Sequence, residues 1–259
     1  EKAFFDAEYY IFLYPDVISS GLSALEHYAF YGKKEGRHFN PIDINTITNA
    51  SYQNELKAKH CITGQAKKTN NKNILLCAHQ CPEHLAGAEL SFFDILKALS
   101  ESSYQVFVCL PYFNETYVKK LLPRVRKIFF IPYHFWNQDY INDYAVKMLE
   151  EIIFNEIIKL VYVNTIVIRE PLVAAKRKSI PCLTHIRELL IDDFHLIDTI
   201  GLDKGQIIEK VCYESDYIIA NSHATAAFYN LNPRTFTLPN CVDTNKFEIK
   251  KKKANNRVR

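Results

Sequence analysis

"AHQCPEHLAGAELSFFDILKALSESSYQVFVCLP", residues 78–111, decides how the rest of the chain is read. It is entered from an apolar strand beginning at Ile74, passes through a loop that ends in Gly87-Ala88-Glu89, turns helical, and closes in a second apolar strand, Val106–Leu110. Strand, loop, helix and strand in that order make a βαβ unit, which calls for a parallel pair joined by a right-handed crossover. Gly87 stands at the helix N-terminus, where free backbone N–H groups and the positive end of the helix dipole favour anions. Without a Cβ it also lets a phosphate or a sugar come close. Taken alone, Gly87 reads equally as a glycine that turns the chain, and the G-x-G-x-x-G of a dinucleotide site is absent, which disfavours a nicotinamide or flavin enzyme.

Outward from this unit, the same alternation continues from residue 72 to 248. Apolar runs at Ile74–Cys77, Val106–Leu110, Ile128–Ile131, Leu160–Val163, Cys182–His185, Tyr217–Ala220 and Phe236–Leu238 are separated by helical stretches. One of these places Val146, Leu149, Ile153 and Ile157 on a stripe that a sheet can cover. The expectation is an α/β domain with a Rossmann-like, doubly wound, mostly parallel sheet, whose ligands gather at the carboxyl ends of the strands.

The first 41 residues form a separate small helical module. Asp6 can cap a helix carrying Phe5, Tyr9, Phe12 and Leu13, and Ser23-Ala-Leu-Glu26 is a capping-box pattern that turns Leu25, Tyr28 and Ala29 inward. Gly21 and Gly32 punctuate the pair. Residues 42–71, ending in "GQAKKTNN", are polar and weakly periodic, and are expected to be a linker.

Composition excludes several function classes. With 48% hydrophobic and 24% charged residues in 259, the chain can bury a substantial core. A formal charge of +3, from 32 basic and 29 acidic residues, is too balanced to imply nucleic acid. The dense basic run, Lys250–Lys253, lies in the terminal stretch 249–259. Seven cysteines with no C-x-x-C pair suggest neither a disulfide framework nor a zinc site, and read as buried thiols of a cytoplasmic protein. The apolar runs stop at about nine residues, short of the ~20 that cross a bilayer.

"HLAGAELSFFDILKALSESSYQVFVCLP", "VYVNTIVIREPLVAAKRKSIPCLTHIRE", "SDYIIANSHATAAFY" and "TFTLPNCVDTNKF", in this order and spacing, resemble the amino-terminal domain of the GT-B glycosyltransferases of family 4. The leader "FFDAEYYIFLYPDVISSGLSALEHYAFYGKKEGRHFNP" resembles a short helical module found in some bacterial glycosyltransferases. The resemblance implies transfer of a sugar from a nucleotide-diphosphate-sugar to an acceptor hydroxyl with retention at the anomeric carbon, in polysaccharide or glycoconjugate synthesis. It implies no metal ion or other cofactor, and a cytoplasmic site that leaves peripheral contact with the inner face of a membrane open.

Residue by residue, it places Gly87 and Ala88 in a loop facing the donor's diphosphate and sugar, with Glu89 opening the helix. His185 falls where the family keeps a histidine beside the transferred sugar, and is the candidate catalytic residue; Arg187 and Glu188 complete His-Ile-Arg-Glu as substrate-binding candidates. Ser222 is expected to cap a helix, and Asn240 and Asp243 to shape the hinge to a second domain. Cys241 departs from the glycine the family usually has after that asparagine, which puts the turn's geometry in question. Adjacent Asp192 and Asp193 diverge in direction and read as a solvated face, not a metal site. In the family a second domain carries the donor's basic pair and an E-x₇-E stretch, so the chain is expected to be the acceptor-side half of a longer enzyme, inactive alone, with 249–259 starting the missing domain. A non-catalytic carbohydrate- or protein-binding module, and an unrelated nucleotide binder, are the alternatives.

Overall fold

The computed structural model describes residues 61–240, apart from 70, 71, 83, 84, 103, 134, 191 and 192, together with 5, 7, 10, 11, 14, 16–35, 37, 39, 50–52 and 56. Eight strands form one sheet: β1 (Cys61–Thr63), β2 (Asn73–Cys77), β3 (Gln105–Leu110), β4 (Lys127–Phe130), β5 (Ile158–Val163), β6 (Cys182–Ile186), β7 (Tyr217–Ala220) and β8 (Thr235–Thr237). Their order is β1-β4-β3-β2-β5-β6-β7-β8, and every neighbouring pair is parallel except β1 with β4. The fold is the expected α/β class with a mostly parallel sheet. From β2 the chain winds outward through β3 to β4, then returns beside β2 as β5 and winds the other way to β8. The β2/β5 neighbourhood is therefore the topological switch point, where consecutive loops leave to opposite faces and open a crevice.

Because successive side chains in a strand point to opposite faces, each strand feeds two cores. Ile74, Leu76, Val106, Val108, Ile128 and Tyr162 face α3 (Gly87–Glu101) and α4 (Glu115–Leu121), which bury Phe92, Leu96, Tyr117 and Leu121 against them. Leu75, Cys77, Phe107, Val161, Cys182 and Ile218 face α5 (Asp143–Asn155), α6 (Glu170–Arg177), α7 (Phe194–Ile200) and α8 (Lys204–Glu214). Strands β2 and β3, apolar on both faces, are the central strands this burial requires.

Three expectations change. The linker reading of 42–71 does not hold at Cys61–Thr63, which pairs antiparallel with β4 and buries Ile62 fully. Three residues are too few to show a period of two. Gly64, just after it, sits where a Cβ would lie 1.9 Å from the Val125 carbonyl oxygen, so the edge depends on a close backbone approach.

On α5, Val146, Leu149 and Ile153 are buried as expected, but Ile157 is not part of the stripe. The helix stops at Asn155, and Ile157 takes a left-handed φ of 51° that aims its side chain outward, 62% exposed. In the helical module, α1 (Asp16–Ser19) and α2 (Ala24–His27) bear out the capping box, Ser23 with Glu26. Of the expected inward residues Tyr28 packs against Tyr10, while Leu25 and Ala29 are exposed and Ala24 and His27 are buried in their place. His27 Nδ1 meets the buried Tyr10 hydroxyl at 3.0 Å, a polar partner for a histidine on the buried face. Gly32 leaves room for that hydroxyl: a Cβ would lie 2.0 Å from it. Asp6, Tyr9, Phe12 and Leu13 lie outside the described residues.

Candidate active site

The loop after β2 is built by its own polar groups. Cys81 donates its N–H to the Tyr112 hydroxyl (3.2 Å) and its thiol to the Tyr112 carbonyl (2.9 Å), and burial pushes that thiol's pKa far up, so it is a buried donor and not a nucleophile. Glu89, in the first turn of α3, is 2% exposed. Its two oxygens accept from the Ala86 N–H (2.8 Å) and the Gln80 amide (2.7 Å). The carboxylate thus pins the loop back onto the helix, filling a helix-start donor as a capping box does. Glu89 shapes the loop, and its oxygens turn toward loop donors.

Gly87 is open. A Cβ there would meet no heavy atom within 4 Å, so neither packing nor a left-handed φ demands glycine. Gly87→Ala should therefore leave the melting temperature unchanged or slightly raised, since alanine is the better helix former by up to about 1 kcal/mol. A drop of several degrees in a thermal melt would show a structural need for glycine.

The strand ends converge on Asn164, directly after β5. Its N–H donates to the Cys77 carbonyl (3.2 Å), its amide nitrogen to the Ala88 carbonyl (3.3 Å), and its amide oxygen accepts from Arg187 Nε (3.1 Å). Arg187 Nη1 donates in turn to Asn240 Oδ1 (2.7 Å), and the Arg187 carbonyl accepts from the Asn221 amide (3.3 Å). The Gly87 loop and the His-Ile-Arg-Glu stretch therefore share one edge of the sheet, as the parallel topology requires. Half-buried Arg187 makes no ion pair among the described residues, and burial lowers its pKa while Tyr162, Glu188 and Asp94 offset this. Glu188 accepts from the Thr165 hydroxyl (2.5 Å) and from the Arg187 N–H (2.9 Å).

His185 lies within β6, on the same face as Tyr162, and is 2% exposed. Its Nδ1 meets the Tyr162 hydroxyl at 2.7 Å, and its Nε2, buried, meets no polar partner among the described residues. Burial, followed by the Arg187 charge, lowers its pKa to about 3, so the ring is neutral at physiological pH. Ser222 caps α9 (His223–Ala227), accepting from the Thr225 N–H at 3.0 Å, which is the structural part expected of it. Asp193 caps α7 through the Leu196 N–H (2.9 Å). Asn240 is tied to Arg187, whereas Asp243 and Asp192 lie outside the described residues.

Sequence reasoning passed over His79, Tyr162, Asn164 and Thr165. His79 is the second residue after β2, at the switch point; burial lowers its pKa, Glu188 and Glu89 oppose that, and its ring meets Phe135 edge-on at 6.4 Å. The available signal was position: polar residues at the carboxyl ends of the two central strands, where such sheets bind ligands. No helix of the described residues is long and apolar enough to cross a membrane.

No family model matches the sequence, and no curated protein does. Among solved structures the chain is similar to an MnaA–UDP co-structure from S. aureus, with TM-score 0.46 and 16% identity over 63% of this chain and 44% of that one. It is also similar to MurG from Acinetobacter baumannii (TM-score 0.44, 12% identity, 70% and 50% covered) and to a UDP-GlcNAc 2-epimerase from Methanocaldococcus jannaschii (0.42, 13%, 64% and 45%). The chain spans about half the length of these solved chains or slightly less.

Proposed function

We propose that this chain forms one wall of the cleft of a retaining GT-B glycosyltransferase of family 4, with the donor nucleotide held by a second α/β domain of the same protein. The observation that carries this is the Ala88–Asn164–Arg187–Asn240 chain of hydrogen bonds, which joins an open helix N-terminus to a cation without an ion-pair partner among the described residues, at the switch point of the sheet. In the reaction, the acceptor oxygen bonds to the anomeric carbon as the bond from that carbon to the diphosphate oxygen breaks. The bonding pair leaves with the diphosphate, which also takes the hydroxyl proton. The first turn of α3 and the Arg187 guanidinium are groups that stabilise the charge growing on a departing diphosphate, with no need of a metal ion or another cofactor. His185, neutral and buried, offers its Nε2 to the sugar once the atoms covering it shift. The reading is of a cytoplasmic enzyme acting on a carbohydrate or glycoconjugate acceptor.

The test is a donor screen on the full-length protein, with UDP-, GDP- and ADP-sugars and release of nucleoside diphosphate as the signal. Consumption of one donor class, reduced about tenfold or more by Arg187→Ala, is the expected result. Binding of a sugar without turnover would instead identify a carbohydrate-binding module, and indifference to every donor would sink the glycosyltransferase reading.

A further inference from the structure

The pair Tyr162–His185 carries an inference that rests on the glycosyltransferase reading for its role but not for its chemistry. We propose that Tyr162 is a positioning residue that holds His185 in the Nε2–H tautomer, so that the cleft uses this histidine as a hydrogen-bond donor and not as a base. Tyr162 on β5 and His185 on β6 stand on the same face of adjacent parallel strands, with the hydroxyl 2.7 Å from Nδ1. A neutral imidazole has one donor nitrogen and one acceptor nitrogen, and a phenol has one proton to give.

Two arrangements are possible. If Nδ1 carries the proton and donates to the phenol oxygen, the Tyr162 O–H and the Nε2 lone pair are both left without a described partner. If the Tyr162 O–H donates to Nδ1, only the Nε2–H is left over. A buried polar group without a partner is costly, so one orphan is favoured over two. The nearby Arg187 charge pulls the other way, since a lone pair facing a cation is favourable. Its guanidinium, however, is engaged by Asn164 and Asn240 and makes no bond to Nε2.

The Nε2–H has a chemical consequence. The group that satisfies it must present an oxygen lone pair, as a sugar hydroxyl or a phosphoryl oxygen does. Nε2 lies below the surface, so contact with a substrate requires the atoms that cover it to shift. A ring held in this tautomer cannot take the acceptor's proton at Nε2, and proton removal falls to the departing diphosphate.

The test is ¹⁵N NMR of histidine-labelled full-length protein, with the His185 signals assigned by their loss in His185→Gln. Wild type should show its proton on Nε2 and a hydrogen-bonded, unprotonated Nδ1. Tyr162→Phe should move Nδ1 to the shift of an unbonded imidazole nitrogen and lower kcat about tenfold, with KM for the donor little changed. A proton on Nδ1 in the wild-type spectrum overturns the proposal, and so does an Nδ1 shift that ignores Tyr162→Phe. The spectrum needs no substrate, so the expected tautomer in a protein that consumes no donor would sink the glycosyltransferase reading and leave the tautomer assignment standing.

Discussion

His185→Ala in the full-length protein should lower turnover by about 10²-fold, the size typical of a positioned polar group felt mainly in the transition state. The fold should also weaken, because the change removes a buried ring and leaves the Tyr162 hydroxyl without its partner. An orphaned buried hydroxyl costs about 1–3 kcal/mol, which for a domain of this size lowers the melting temperature by roughly 2–10 °C. The two effects separate by measuring transfer well below the variant's melting temperature. Near-normal turnover there would reduce His185 to a packing residue. A pH signature accompanies the change. His185 is held neutral in the folded state with a pKa near 3, whereas the unfolded chain binds its proton at the ordinary histidine value near 6.5. Its share of stability is therefore fully present above pH 6.5 and shrinks as pH falls toward 3, by about 2 kcal/mol on reaching pH 5. Wild type should lose more stability than His185→Ala over that acid range.

Arg169→Ala should destabilise the domain by about 3–5 kcal/mol, or roughly 10 °C in the melt, with the loss appearing before any question of substrate. Arg169, 7% exposed, forks onto Glu214, with Nε 2.9 Å from one carboxylate oxygen and Nη2 on the other. Nη1 donates to the Gln138 carbonyl (3.1 Å), and the guanidinium lies 4.9 Å from the centre of the Trp136 ring. It thereby ties the start of α6, the end of α8 and the loop at Trp136–Gln138, where Gln138 holds a left-handed φ of 47°. Removing one partner leaves Glu214 as an uncompensated charge in a nearly closed site. Replacing both, as Arg169→Met with Glu214→Leu, should recover a large part of the loss. A single variant that melts like wild type would show the pair to be without net effect.

Sequence periodicity was enough for the succession of β2 to β8 along the chain, for the mostly parallel sheet, and for the placement of the Gly87 loop and the stretch that carries His185 at one edge. Those features follow from local pattern, since a strand apolar on both faces must be central and a βαβ crossover has one hand. The capping box at Ser23 and Glu26 and the Ser222 cap were legible for the same reason: both join groups three residues apart. Contacts between distant segments were not legible. Strand β1 exists because β4 offers an open edge, and nothing within Cys61–Thr63 announces that edge. Glu89, read beside Gly87 as a group for substrate, turns to Gln80 and Ala86 once the loop closes. Asn164 acquires its part only when β5 returns beside β2, bringing Ala88 and Arg187 within reach of one amide. The burial of His185 was settled in the same way: its alternation within β6 was written in the sequence, but the Tyr162 hydroxyl that meets it comes from the neighbouring strand, and a pairing register is a property of two strands, which neither encodes alone.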